Sequence, residues 1–322
     1  MTSKSDNPYE TDVQVSQYCD FHYGPPTPIR EVEPFPVVIA RICEAVVRNS
    51  QFWDKQANAP KNGPLRSFDL GCAVGRSTLE LAKTFDQVVG ADYSNRFVET
   101  GAEVAKNKKV KFSALLEGSI FSHHEVILGQ GNVPLTGADG QSLIKDIFGG
   151  IPATEAMDSK AVEKLTERIT FMQQDACNLT TEPELYNFHC VLAANLIDRL
   201  YEPQLFLNSI HERIVPGGFL VLLSPYTWLP EYTPIEHWVG GKSSNGEVTM
   251  TKDGLKQVLS KNFELVEITP INPDFEDLNT PTSVEPKDKK TITSFHVPFV
   301  IRETHRKYQH SFSECTIWRR LE

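Results

Sequence analysis

Short apolar runs alternating with amphipathic stretches organise the chain from Leu65 onward. Residues 65–70 read as a buried strand, 77–84 as a helix and 87–91 as a second strand. Residues 94 to about 107 follow as a helix with Ser94 as its N-cap. Strand, helix, strand, helix is the mark of a parallel sheet with right-handed crossovers. Residues 113–160, rich in Gly and small side chains, break the alternation and read as an insertion. It resumes with strands at 169–173 and 189–194, a helix at 203–213 ending at Pro216-Gly217-Gly218, and a strand at 219–224. Closing β runs are expected at 263–269, 296–302 and 313–319, with the Pro- and Lys-rich stretch 272–290 as a surface excursion. Ahead of the repeat, the polar and aromatic residues 1–30 predict an extended arm, and residues 36–49 a helix. The expected organisation is an N-terminal arm and cap or lid over 1–64 and a main domain over 65–322, with insertions near 113–160 and 272–290.

Composition excludes several classes of function. Among 322 residues, 32 Lys and Arg face 42 Asp and Glu, a net charge of −10, with no basic stripe to track phosphates. No nucleic-acid partner is expected. No apolar stretch is long enough to span a bilayer or, near Met1, to act as a signal peptide, so neither membrane insertion nor export is expected. The six cysteines are scattered without a Cys-x-x-Cys pair, which fits a reducing, cytoplasmic setting. His123-His124 lacks a third ligand nearby, so no metal is expected. Gly240-Gly241-Lys242-Ser243 imitates the end of a phosphate-binding loop, but Glu236 occupies the required upstream glycine position.

The sharpest chemical feature is Phe68-Asp69-Leu70-Gly71-Cys72-Ala73-Val74-Gly75-Arg76-Ser77, a strand entering a small-residue turn and then a helix. Small residues let backbone approach a ligand, and the helix start presents unpaired N–H groups. Asp92 ends the next strand, about 20 residues on, where a carboxylate can accept from a ribose diol. These features point to a nucleoside-containing cofactor, with Asp69, Gly71, Cys72, Ala73, Gly75 and Arg76 on the first turn and Asp92, Tyr93 and Ser94 on the second. Asp69 suits an ammonium group better than a dinucleotide pyrophosphate, and the Gly71-x-Ala73-x-Gly75 order departs from the dinucleotide pattern. Asp175 and Ala176, after a later strand, suit an adenine ring, and Asn195 ends the strand after that.

This pattern resembles the class I S-adenosylmethionine-dependent methyltransferases from Leu65 to the C-terminus. The resemblance implies an α/β, Rossmann-like fold: a mostly parallel seven-stranded sheet with a C-terminal antiparallel hairpin, here beneath an N-terminal lid. Three segments are similar to a narrower family: Tyr18-Cys19-Asp20-Phe21-His22-Tyr23-Gly24, the glycine turn, and Phe299 through Gln309, with Tyr232 to Gly241 in support. That family is the 4-mercaptohistidine (5-thiohistidine) N-methyltransferases, usually met as the C-terminal domain of the ovothiol-forming sulfoxide synthase. The resemblance implies methyl transfer from S-adenosylmethionine to an imidazole ring nitrogen of a thiohistidine supplied by a separate sulfoxide synthase. It places His22 and Tyr23 over the site. Orienting the ring and choosing its tautomer requires an acceptor for the other N–H, with Asn195, Asp198 and Tyr226 as candidates. Arg302, beside Glu303, is the expected fork for the substrate carboxylate. The alternatives are a methyltransferase of another small amine or carboxylic acid, or a non-catalytic subunit that binds the cofactor.

Overall fold

The computed structural model describes residues 8–25, 29, 32–129, 141–149, 159–244, 246–272, 274, 275, 277 and 291–322. In chain order the main elements are α1 (Asp12–Tyr23), α2 (Phe35–Arg48), β1 (Arg66–Leu70), α3 (Arg76–Leu81), β2 (Gln87–Asp92) and α4 (Asn95–Asn107). A hairpin of β3 (Lys109–Glu117) and β4 (Ile120–Ile127) precedes α5 (Gln141–Phe148) and α6 (Ser159–Thr166). Then come β5 (Ile169–Gln173), β6 (Phe188–Ala194), α7 (Pro203–Ser209), β7 (Ile214–Ser224), α8 (Thr251–Leu259), β8 (Phe263–Leu265), β9 (Phe295–Thr304) and β10 (Lys307–Arg320).

One 8-stranded sheet runs in the order β8-β10-β7-β6-β1-β2-β5, with β9 also on β10. Pairing is parallel from β5 through β7, and β10 is antiparallel to its neighbours. This is the expected Rossmann-like α/β architecture, with eight strands where seven were expected. The extra strand arises because β10 is 14 residues long: its second half pairs β7 and β8, and its first half extends past them to pair β9.

Both faces of the sheet are covered, so Cys190 to Ala193 on β6 and Phe219 to Leu223 on β7 are buried in unbroken apolar runs that do not alternate. On β6, Cys190 and Leu192 join a core layer with α2, while Val191 and Ala193 join a layer with α7 and α8. α2 is buried from Phe35 to Val47, and its charged Arg41 and Glu44 pair at 2.6 Å. Phe171 on β5 lies across three glycines: a Cβ added at Gly75, Gly90 or Gly101 would stand 2.6, 2.8 or 2.8 Å from its ring. Three elements can therefore meet one aromatic face.

Two expectations are corrected. The arm expected to be extended holds the helix α1, capped by Thr11, whose hydroxyl accepts from the Gln14 amide at 3.3 Å. Its last turns pack Cys19, His22 and Tyr23 inward while Tyr18 and Phe21 pack sideways, so no single apolar stripe marks it in the sequence. The stretch read as an insertion from residue 113 begins instead at Lys109 as β3, whose Val110, Phe112 and Ala114 are buried in strict alternation. The rest of that insertion lies partly, and the 272–290 excursion mostly, outside the described residues.

Candidate functional site

The carboxyl ends of β1, β2, β5 and β6 surround a cavity of about 280 Å³. Its floor is the glycine turn. Gly71 takes φ +83°, where L residues are strained, and its amide donates to the Ala91 carbonyl at 2.8 Å. Ala73 also holds positive φ, +46°, and donates its amide to Asp92 Oδ2 at 3.0 Å. The other Asp92 oxygen accepts the Ser94 amide at 2.9 Å, so one carboxylate ties the first turn to the second. Ser94 in turn caps α4, accepting from Phe97. Asp69 Oδ2 accepts from both Ser77 and Thr78 hydroxyls at 2.7 Å. Burial pushes the carboxyls of Asp69 and Asp92 up to about 6, against the hydrogen bonds they accept.

The N-terminal segment roofs this floor. Tyr9, Tyr18, Phe21 and His22 line the cavity; Tyr9 stacks on Tyr232 with centroids 6.2 Å apart, and Tyr18 tilts on Phe97 at 4.8 Å. The first part of the segment is latched to α4: Ser94 Oγ donates to the Tyr9 carbonyl at 3.1 Å, the Asn95 amide to Glu10 Oε1 at 2.9 Å, and Arg96 pairs Asp12. At the other end of α1, the Tyr23 hydroxyl donates to the Val74 carbonyl at 2.9 Å and the Arg76 amide to His22 Nδ1 at 3.4 Å. Burial and the nearby Arg76 charge lower His22 to about 3, so its ring is neutral and Nδ1 accepts. The Tyr23→Phe protein is expected to lose about 1 kcal/mol of stability, the worth of one buried hydrogen bond, and thermal denaturation checks it.

The structure brings Asp69, Gly71, Ala73, Asp92, Tyr93, Asp175, Ala176, Asn195 and His22 together around the cavity. Asp175 accepts from the Cys177 amide at 2.8 Å and from the Tyr201 hydroxyl at 3.1 Å. Asn195, at φ +53°, accepts the Ser313 hydroxyl at 2.6 Å. Gly75 and Ser94 shape the turns behind the cavity wall.

Others sit elsewhere. Cys72 is buried, and Arg76 pairs Glu80 at 2.8 Å within α3. Tyr23 is 1% exposed and does not reach the cavity. Asp198 is buried, accepting from Ser224 at 3.1 Å and Thr227 at 2.9 Å. Tyr226 has φ +54° and a buried hydroxyl near Glu314, behind the wall. Arg302 is turned to the far side of α1, its Nε donating to Asp20 at 2.7 Å with a second bond from Nη2. Strand alternation is the cause: Ile301, its neighbour on β9, faces the cavity instead.

Sequence reasoning missed Tyr9, Arg199, Glu231 and Tyr232 as lining residues. Arg199 follows Asn195 and Leu196 on a short 3₁₀ turn (Ile197–Arg199), a position that the carboxyl-end rule for parallel sheets marks as ligand-facing. Trp228 and Trp238 stack with centroids 6.1 Å apart and donate to Thr251 and the Thr233 carbonyl, as packing residues do. Among the described residues no cluster of three or more His, Cys, Asp or Glu is placed to hold a metal ion. Nor is any helix among them long and apolar enough to cross a membrane.

No protein-family model and no curated protein matches the sequence. Among solved structures the chain is similar to the N-methyltransferase NodS from Bradyrhizobium japonicum in complex with S-adenosyl-L-homocysteine, at 12% identity, 97% of this chain, 100% of that chain and TM-score 0.42. It is also similar to the [4+2]-cyclase SpnF, at 16% identity, 80% of this chain, 76% of that one and TM-score 0.41. Phosphoethanolamine N-methyltransferase 2 of Haemonchus contortus, in complex with S-adenosyl-L-methionine, is 14% identical, covering 82% of this chain and 45% of that one with TM-score 0.41.

Proposed function

We propose that the chain is an S-adenosylmethionine-dependent N-methyltransferase that methylates an imidazole ring nitrogen of 4-mercaptohistidine, giving ovothiol. The observation that carries the cofactor is the floor of the cavity, where Asp92 and Asp69 converge with Gly71 and Ala73, both at positive φ. The donor set fits: a carboxylate at the end of the second parallel strand accepts from ribose hydroxyls, Asp69 faces an ammonium, and Ala176 leaves room for an adenine beside Asp175. When bound, S-adenosylmethionine supplies an electrophilic methyl group on a sulfonium.

The residues of the chain then have separable tasks. Asp92 holds the ribose, and Asp69 the amino end of the cofactor. Tyr9, Tyr18 and neutral His22 exclude water from above, which stops hydrolysis competing with transfer. A neutral imidazole nitrogen needs no base to attack, so orientation carries the catalysis, and the role of fixing the ring is assigned to Asn195, which lines the cavity and whose Oδ1 also accepts from Ser313. Tyr23, Asp198 and Tyr226 act as positioning residues behind the wall. Residues 1–64 serve as the lid of a domain spanning 65–322. The thiohistidine substrate rests on the resemblance of the arm and of residues 299–309, and it implies coupling to a separate sulfoxide synthase in a reducing, cytoplasmic setting.

Mass spectrometry with S-adenosylmethionine and 4-mercaptohistidine tests this reading, with fragmentation locating the methyl group. A ring N-methyl product is expected. Cofactor binding by calorimetry without any product overturns the substrate and turns the search to other small amines or carboxylic acids. Absence of cofactor binding overturns the reading as a whole.

A further inference from the structure

Arg199 is the one Lys or Arg side chain among the described residues lining the cavity; the acids there are Asp69, Asp92, Asp175 and Glu231. Its guanidinium is fixed from one side. Nη1 donates to the Asp198 carbonyl at 2.8 Å, to Asp198 Oδ2 at 2.9 Å and to the Thr227 carbonyl at 2.9 Å, and Nη2 donates to Thr227 Oγ1 at 3.1 Å. Tyr232 covers its face, with the guanidinium carbon 5.1 Å from the ring centroid. Nε and the second Nη2 hydrogen have no protein acceptor among the described residues, although the side chain is only 26% exposed.

We propose that Arg199 binds the carboxylate of the methyl acceptor through this open edge, and that the acceptor is therefore a small carboxylic acid, with Glu231 on the adjoining loop facing its ammonium. The inference deepens the methyltransferase reading and rests on it. A guanidinium already held at one edge and one face loses little freedom on binding, and its remaining two N–H groups match the spacing of a carboxylate. Asp198, buried at 1% exposure and bonded to Ser224 and Thr227, is the anchor of this arrangement. The carboxylate recognition expected of Arg302 thus passes to a residue that does line the cavity, because Asp20 already occupies the Arg302 fork.

The test compares two probes, 4-mercaptohistidine and its decarboxylated counterpart 4-mercaptohistamine, by calorimetry with S-adenosylhomocysteine present and by turnover with S-adenosylmethionine. Wild-type protein is expected to bind the acid about tenfold to a hundredfold more tightly than the amine, the worth of hydrogen bonds to a charged group. Arg199→Gln is expected to bring that ratio close to one, and Arg199→Lys to an intermediate value, while S-adenosylhomocysteine binding alone reports that the fold is intact. A wild type that binds both probes equally, or neither, overturns the assignment, as does an Arg199→Gln protein that keeps the preference. Arg199-dependent binding of the acid without methyl transfer leaves the assignment standing and overturns the thiohistidine reaction.

Discussion

The Gly75→Ala protein is expected to lose about 2–4 kcal/mol of stability and, with it, much of its affinity for S-adenosylmethionine. Two causes add. Gly75 sits at φ +82°, where an L side chain costs about 1 kcal/mol, and its new Cβ would stand 2.6 Å from Phe171 Cζ. Phe171 cannot retreat simply, because its ring also rests on Gly90 and Gly101, within 2.8 Å of where their Cβ atoms would lie. Moving the ring opens β5 from α4, and moving Gly75 shifts the amides of the turn. Gly118→Ala is the matching control: its φ is +55° with nothing within 4 Å, so only the conformational cost applies. Thermal denaturation of the two variants separates strain from crowding. Equal losses would mean that the aromatic slot yields freely and that Gly75 is needed only for its φ.

Asp92→Ala is expected to weaken S-adenosylmethionine binding by about 1–3 kcal/mol, as read by calorimetry. In the proposed function the carboxylate takes the ribose hydroxyls, and it also holds the amides of Ala73 and Ser94, so its loss would loosen both turns while removing the ligand's acceptor. Affinity should also depend on pH. With Asp69 and Asp92 both near 6, each is ionised above that pH and accepts hydrogen bonds fully; affinity falls as pH drops through about 6. Stability moves the other way in that window. The folded pKa of each acid lies above its ordinary 3.8, so the folded state binds more protons between 3.8 and about 6 and loses stability as pH rises through that range. His22 opposes this: lowered from 6.5 to about 3, it stabilises fully above 6.5 and loses that contribution as pH falls toward 3. Calorimetry near pH 5 and near pH 7.5, with unchanged affinity at both and in Asp92→Ala, would mean that another group holds the ribose.

The parallel half of the fold is legible in the sequence because its signals are local. The run Phe219-Leu220-Val221-Leu222-Leu223 announces a strand buried on both faces, and Ser94 announces the start of α4. α1 is not legible, because its buried residues face several partners and leave no stripe. The floor of the site follows from the Gly71–Gly75 spacing and Asp92, which are set by short-range turn geometry. Its roof and rim do not. Tyr9 meets Tyr232 across most of the chain, and Arg199 meets it across 33 residues, contacts that no local pattern announces. Arg302 shows the converse: its residue type suits a carboxylate, but a one-residue step along β9 sends it to Asp20.

The roof over the cavity is two structures joined end to end. From Cys19 to Tyr23 it belongs to the core, with both residues 1% exposed and Tyr23 bonded to the glycine turn. From Pro8 to Asp12 none of residues 8–10 is buried, and the segment is held by hydrogen bonds and an ion pair to the start of α4 and by the half-buried Tyr9 ring against Phe97 and Tyr232. The cost of displacing it therefore rises along the segment, from the half-buried Tyr9 ring at one end to the buried Tyr23 ring and its bond to the Val74 carbonyl at the other.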